Sequence, residues 1–173
     1  MDAVRAHVAE LERKTGKTFG SATHPLLVSV RSGSAMSMPG MMDTILNLGL
    51  NPATLKGLMA QTGNERFAWD AYRRFVQLFG KIAMGIPDEA FDDAMAAVKR
   101  KHGALHDVEL GADALEELAQ AFLSVYRDHT GQPLPIDPHE QLERSIEAVF
   151  VRQETCALEM QFGILGREQY GAI

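Results

Sequence analysis

The chain has 173 residues, of which 46% are hydrophobic and 23% are charged, and its formal net charge is −6. This composition is ordinary for one globular domain with its own core, and it excludes wholesale disorder. A pI near 5.5 gives the chain no general basic field. We therefore expect neither nucleic acid nor an anionic membrane as a partner.

Targeting and redox signals favour the cytoplasm. Residues 1–20 carry charges throughout and contain no apolar stretch of the signal-peptide kind. No apolar run approaches the ~20 residues that a membrane helix needs. The single cysteine, Cys156, excludes an internal disulfide framework and fits a reducing compartment. The sequence therefore predicts a cytoplasmic protein.

The first fifty residues predict one helix and a small β portion. Apolar residues at helical spacing predict a helix over 2–14. A short apolar run with β-branched residues predicts a buried strand over 26–30. Residues 42–50 fit either a second strand or a turn of helix, and both alternatives stay open.

The remaining chain predicts helices bounded by capping residues. Asn51 and Pro52 suit the start of a helix and Gly63 its end. Further helices are predicted over 64–84, 87–100, 112–130 and from 138 onward. On the helix from residue 64, the spacing predicts a core face with Phe67, Ala71, Phe75, Leu78 and Phe79. The fold class is therefore mostly α with a small β portion (α+β).

Arg31 directly follows the predicted strand and precedes a loop of small residues that contains Gly33 and Gly40. Glycines let the backbone approach a ligand closely, and successive N–H groups of such a loop can hold phosphate oxygens. The guanidinium offers a planar fork of donors that matches phosphate. The spacing fits neither the Walker A pattern nor the dinucleotide fingerprint. On the residues alone, a phosphate loop and a tight turn with an ion-paired arginine remain equally open.

Two long runs resemble the nucleotide-binding N-terminal domain of pyruvate phosphate dikinase. They read LLVSVRSGSAMSMPGMMDTILNLGLN, over 26–51, and TGNERFAWDAYRRFVQLFGKIAMGIP, over 62–87; DPHEQLERSIEAVF, over 137–150, matches more weakly. The related phosphoenolpyruvate synthase lacks the Met-Pro-Gly-Met-Met-Asp-Thr continuation. The resemblance implies an ATP-grasp-type domain with an inserted helical subdomain. It also implies ATP and Mg²⁺ as cofactors in the conversion of ATP, phosphate and pyruvate to AMP, pyrophosphate and phosphoenolpyruvate.

The resemblance also implies which residues contact the nucleotide. The matching arginine of the family contacts ATP phosphates, and its glycine-rich turn covers them. The predicted phosphate-binding residues are therefore Arg31, Ser32, Gly33, Gly40 and Met42. We assign no catalytic residue and no metal ligand. Asp43 is expected to be a turn or capping residue, because a lone carboxylate is weak evidence for Mg²⁺.

The arginines of the second run are expected to be structural. We expect Arg66, Arg73 and Arg74 to pair with Asp70 and Glu65; Asp70 lies three or four residues from each of these arginines, a spacing that pairs opposite charges along one helix. This pairing is favoured over a ligand contact.

The resemblance divides the chain into three parts and leaves most of the enzyme outside it. Residues 1–50 would begin the nucleotide-binding subdomain, 51–136 would form the helical subdomain, and 137–173 would contain a return helix and a divergent tail. The family also needs a further lysine, acidic metal ligands, a glutamine, a phosphohistidine domain and a pyruvate-binding barrel. We therefore expect a fragment or truncated relative that binds ATP weakly and is not active alone.

A second interpretation stays open, in which the chain is a non-catalytic helical interaction or oligomerisation module. Part of a nucleotide domain would leave a strand edge and apolar faces uncovered, and such surfaces pair with other chains. The partner would be a second copy or the remainder of the enzyme.

Overall fold

The computed structural model describes residues 2–31 and 44–150, and this part of the chain is mostly helical with a small β portion, as predicted. Its elements in chain order are α1 (Asp2–Thr15), β1 (Thr18–Phe19), β2 (Pro25–Leu26), β3 (Val28–Arg31), β4 (Thr44–Leu48), α2 (Pro52–Thr62), α3 (Glu65–Met84), α4 (Asp88–His102), a 3-10 turn (Asp107–Glu109), α5 (Ala112–Thr130) and α6, helical over 138–150. No helix among these residues is both long and apolar enough to cross a membrane.

The strand predicted over 26–30 is divided at Leu27 into two short strands. β2 pairs in parallel with β1, whereas β3 pairs antiparallel with β4. The chain changes its pairing partner at Leu27, so one continuous apolar run does not make one strand. The two alternatives for 42–50 resolve in favour of a strand, β4. The register of the β3–β4 pair is Val28↔Leu48, Val30↔Ile45 and Arg31↔Thr44, with an irregularity between Val28 and Val30.

Capping residues set the limits of α2 and α3 as the sequence predicts. The Asn51 side chain accepts hydrogen bonds from the backbone N–H groups of Ala53 and Thr54, both at 2.9 Å. The Thr54 hydroxyl in turn accepts one from the Asn51 N–H at 2.7 Å, which completes a capping box. Both helices end at glycines in the left-handed conformation, Gly63 with φ 61° and Gly85 with φ 69°.

The core is built around α3, which packs against β4, α2 and α5. Phe75 and Phe79 of α3 are fully buried, with ring centroids 5.6 Å apart. The prediction that Phe67 shares this face is wrong, because its side chain is 50% exposed. The buried stripe of α3 runs through Ala68 and Tyr72 instead, and Phe67 lies at its margin in the first turn.

Candidate phosphate-binding site

Arg31 is the last residue of β3, on the exposed side of a two-stranded hairpin. Side chains alternate along this strand: Val28 and Val30 pack against the core, whereas Ser29 and Arg31 are exposed. Arg31 faces Thr44, the first residue of β4, across the strand pair. The two ends of the predicted phosphate loop are therefore neighbours, and Arg31 stands at one of them.

The alternative interpretation of Arg31, as a structural residue in an ion pair, needs a carboxylate beside its guanidinium. Within the described ranges 2–31 and 44–150, no carboxylate forms an ion pair with its guanidinium. An exposed guanidinium there can present its donors to a planar anion such as phosphate. Asp43, predicted to be a turn or capping residue, lies outside the described residues, as do the other predicted contacts Ser32, Gly33, Gly40 and Met42.

The turn after β4 fixes this hairpin against the rest of the fold. Asn47 adopts a positive φ of 60°, and its amide Nδ2 donates to the Ala71 carbonyl of α3 at 3.2 Å. Gly49 has a φ of 100°, in the left-handed region that favours glycine. A Cβ added there would stand 2.8 Å from Cε2 of Phe19. Both the backbone conformation and the close approach of Phe19 therefore require glycine at position 49.

A buried polar network joins the same turn to α6. The fully buried Gln141 accepts a hydrogen bond from the Gly49 N–H through Oε1 at 2.9 Å. Its Nε2 donates to the carbonyls of Leu50, at 3.0 Å, and Pro135, at 2.7 Å. Thr54, also fully buried, donates to the Gly49 carbonyl at 2.9 Å. The sequence analysis missed this network; the available signal was one polar residue at an inward position of the predicted helix.

The expected pairing of the α3 arginines is confirmed for two of them. Arg73 is only 5% exposed, and its Nε donates to Asp70 Oδ1 at 2.9 Å. Its Nη2 also lies 3.6 Å from Asp107 Oδ2. Arg74, on the exposed side, places its Nε 2.9 Å from the other Asp70 oxygen. These residues form a structural charge network that also includes Lys99, which pairs with Asp107.

Lys99 and its neighbours also influence the ionisation of Asp107. The hydrogen bond from Lys99 is the main reason that the pKa of Asp107 lies below its ordinary value. The positive charges of Lys99, Arg73 and Arg74 act in the same direction, whereas partial burial opposes them. The charge network therefore favours the ionised form of Asp107 and lowers the pH at which it is protonated.

Arg66 also has a structural role, but its predicted carboxylate partner is wrong. Its guanidinium donates to the carbonyls of Leu110, at 2.9 Å, Val108, at 3.1 Å, and Asp107, at 3.4 Å. The physical reason is its place in the first turn of α3, beside the α4–α5 connection. Carbonyls of a connection lack regular helical partners, and an arginine fork can satisfy several of them at once.

A metal-binding site needs a cluster of metal-ligating side chains. Across 2–31 and 44–150, no group of three or more His, Cys, Asp or Glu converges in a way that could hold a metal ion. His102, four residues from His106, contacts Glu117 instead, with 3.0 Å between Nε2 and Oε2.

Comparison with known proteins gives a consistent result. No protein-family model matches the chain. It is 56% identical over 149 residues to pyruvate, phosphate dikinase of Giardia intestinalis, and 54% identical over 150 residues to that of Entamoeba histolytica. It is 49% identical over 140 residues to the chloroplastic pyruvate, phosphate dikinase 1 of Arabidopsis thaliana. These alignments cover 86%, 87% and 81% of this chain, but only 17%, 17% and 14% of the relatives.

This similarity confirms the resemblance inferred from the two long sequence runs. Since one of the relatives is chloroplastic by name, the similarity does not select a cellular compartment. The chain spans about 17% of the length of the first two curated relatives. Sequence identity thus relates this chain to the pyruvate phosphate dikinase family.

Proposed function

We propose that this chain contributes part of the ATP-binding unit of a dikinase-type phosphotransferase, with Arg31 as a contact for nucleotide phosphates. The observation that carries the proposal is the position of Arg31. It is exposed at the end of β3, opposite Thr44, where both ends of the predicted phosphate loop meet the hairpin. A guanidinium beside a glycine-containing loop is a common device for binding phosphate.

The relatives supply the remaining parts of the proposal. Their name identifies a dikinase that acts with pyruvate and phosphate. By resemblance, the nucleotide is ATP, Mg²⁺ accompanies it, and Ser32, Gly33, Gly40 and Met42 complete the phosphate contacts. The division into residues 1–50 of an ATP-grasp-type subdomain, a helical subdomain over 51–136 and a return segment over 137–173 belongs to the same proposal.

Binding rather than catalysis is the activity proposed for the chain alone. Phosphoryl transfer depends on several positioned groups and on charge neutralisation by metal ions. Among the described residues we assign one phosphate contact, the exposed Arg31, and no group of three or more His, Cys, Asp or Glu could hold a metal ion. Arg31 would hold and orient phosphate oxygens, and the other parts of a dikinase would supply the metal ligands and the phosphoryl acceptor.

Titration of the ¹⁵N-labelled chain with ATP tests the proposal. We expect shifts in β3 and β4 with a dissociation constant of about 1 mM, which corresponds to only ~4 kcal/mol of binding free energy. Arg31→Ala should abolish binding, because the charged contact is lost. Arg74→Ala is the matched control, since Arg74 is also an exposed arginine but lies on α3. Shifts confined to α3–α5, or equal loss in both variants, would contradict the assignment.

Exposed apolar side chains favour a second candidate, the interaction or oligomerisation module. Leu105 and Val108, in the α4–α5 connection, are 81% and 78% exposed. Within this connection Glu109 accepts hydrogen bonds from the N–H groups of Leu105 and His106 at 2.7 and 3.1 Å. These bonds lower the pKa of Glu109. A hydrogen-bonded connection that presents two exposed apolar side chains is typical of a protein interface.

Light scattering across a concentration series tests this candidate. We expect self-association of the unaltered chain, and its loss when Leu105 and Val108 are both changed to serine. The matched control changes Leu11, an exposed leucine of α1, to serine and should not alter the association. A clean monomer at every concentration would remove the oligomerisation candidate.

A further inference from the structure

We propose that Gln141 is a positioning residue that fixes the β3–β4 hairpin and thereby the place of Arg31. This inference rests on the proposed function, since it concerns how the phosphate contact is held. It assigns a role to a side chain of α6 that lies far along the sequence from Arg31.

The hairpin needs an external anchor because it is small. Among the described residues, β3 and β4 form a sheet of two strands. A two-stranded hairpin is marginally stable by itself and depends on packing against other elements. The irregular register between Val28 and Val30 interrupts the pairing further. The position of Arg31 therefore depends on what holds β4.

Gln141 supplies such an anchor at the point where β4 ends. Its fully buried amide uses Oε1 to accept from the Gly49 N–H and Nε2 to donate to the Leu50 carbonyl. The same nitrogen donates to the Pro135 carbonyl, which ties the turn to the segment before α6. Buried polar groups are costly to leave unpaired, so a displacement of this turn would break several hydrogen bonds together.

The turn and Arg31 are joined by the strand pair itself. Leu48, one residue before Gly49, is fully buried and pairs with Val28 at the beginning of β3. Thr44, at the other end of β4, pairs with Arg31. Because paired strands move together, displacement of the Gly49 turn shifts Thr44 and Arg31 relative to the core. Contacts to a bound ligand are sensitive to misplacements of about 1 Å.

The experiment compares Gln141→Met with Ser145→Ala in the full 173-residue chain. Methionine keeps the length of the side chain but forms none of the three hydrogen bonds. Ser145 is the matched control: it is fully buried on the same helix, but its hydroxyl donates to the Gln141 backbone carbonyl at 2.7 Å. Two quantities are measured, namely amide hydrogen exchange in β3, β4 and α5, and the dissociation constant for ATP.

For Gln141→Met we expect amide hydrogen exchange to accelerate more in β3 and β4 than in α5, relative to the unaltered chain. We also expect ATP binding to weaken about tenfold. Ser145→Ala should leave both measurements near those of the unaltered chain. If Gln141→Met unfolds the chain, Gln141→Asn gives the same comparison, since its shorter side chain withdraws the amide from Gly49.

Two results would overturn the inference: equal exchange changes in the strands and in α5, or unchanged ATP affinity in a Gln141 variant that folds. Failure of the proposed function is distinguishable from both. If the unaltered chain binds no ATP while Gln141→Met still loosens the strands selectively, Gln141 fixes the hairpin and Arg31 is not a phosphate contact.

Discussion

Two adjacent arginines on α3 allow a direct test of how burial affects the contribution of an ion pair to the free energy of unfolding. Arg73 and Arg74 both contact Asp70, but the Arg73 side chain is 6% exposed whereas the Arg74 side chain is 55% exposed. Replacing Arg73 with methionine keeps most of the apolar stem and removes two bonds to Asp70 and the approach to Asp107. Hydrogen bonds to charged groups contribute about 1.5–3 kcal/mol each. Asp70 would keep Arg74 and Asp107 would keep Lys99, so we expect a loss of about 2 kcal/mol.

The matched variant Arg74→Met removes an exposed pair and should cost less than about 1 kcal/mol. Urea unfolding monitored by circular dichroism measures both losses. With a slope of about 2 kcal/mol per molar urea, the midpoint should fall by about 1 M for Arg73→Met and by less than half of that for Arg74→Met. Equal losses, or a larger loss for Arg74→Met, would refute the argument that burial makes the difference.

Three further predictions concern binding, activity and pH. Added salt should weaken ATP binding by the unaltered chain, because Arg31 is exposed and its attraction to phosphate is screened; isothermal titration at two ionic strengths measures this. The purified 173-residue chain should form no AMP in a pyruvate-dependent assay, and detectable AMP would contradict the proposal that the chain alone binds ATP without catalysing the reaction. Burial raises the pKa of Tyr72 from 10.0 to about 12, so the folded state retains its proton more strongly. This contribution to stability is complete below pH 10 and declines as the pH rises toward 12, and Tyr72→Phe should reduce the decline in unfolding experiments.

Local signals account for the part of the fold that the sequence predicts well. The capping box at Asn51 and the left-handed glycines at Gly63 and Gly85 act over a few residues, so the limits of α2 and α3 follow from sequence spacing. Pairing partners are not local. Nothing within 26–30 indicates that β2 pairs with β1 while β3 pairs with β4. The division of the predicted strand at Leu27 could therefore not be inferred from its own residues.

At the candidate site, too, the sequence predicts local features but not contacts between distant segments. Arg31 could be selected because a strand, an arginine and small residues follow one another in the sequence. Arg66 was misassigned because its partners are carbonyls of Asp107, Val108 and Leu110, which belong to a connection more than forty residues away. Helical spacing identifies charged neighbours on one helix, but it contains no information about backbone groups brought in by tertiary packing.

The turn after β4 is fixed by residues that are distant from it in the sequence, two of them polar. The Gly49 N–H and carbonyl are satisfied by Gln141 and Thr54, and a Cβ added at Gly49 would lie only 2.8 Å from the Phe19 ring. Three elements, β1, α2 and α6, therefore meet at one residue, Gly49. Loss of a buried partner leaves a polar group unpaired, whereas addition of a Cβ displaces an aromatic ring. The position of the hairpin, and of Arg31 on it, is thus determined jointly by parts of the chain separated by more than ninety residues.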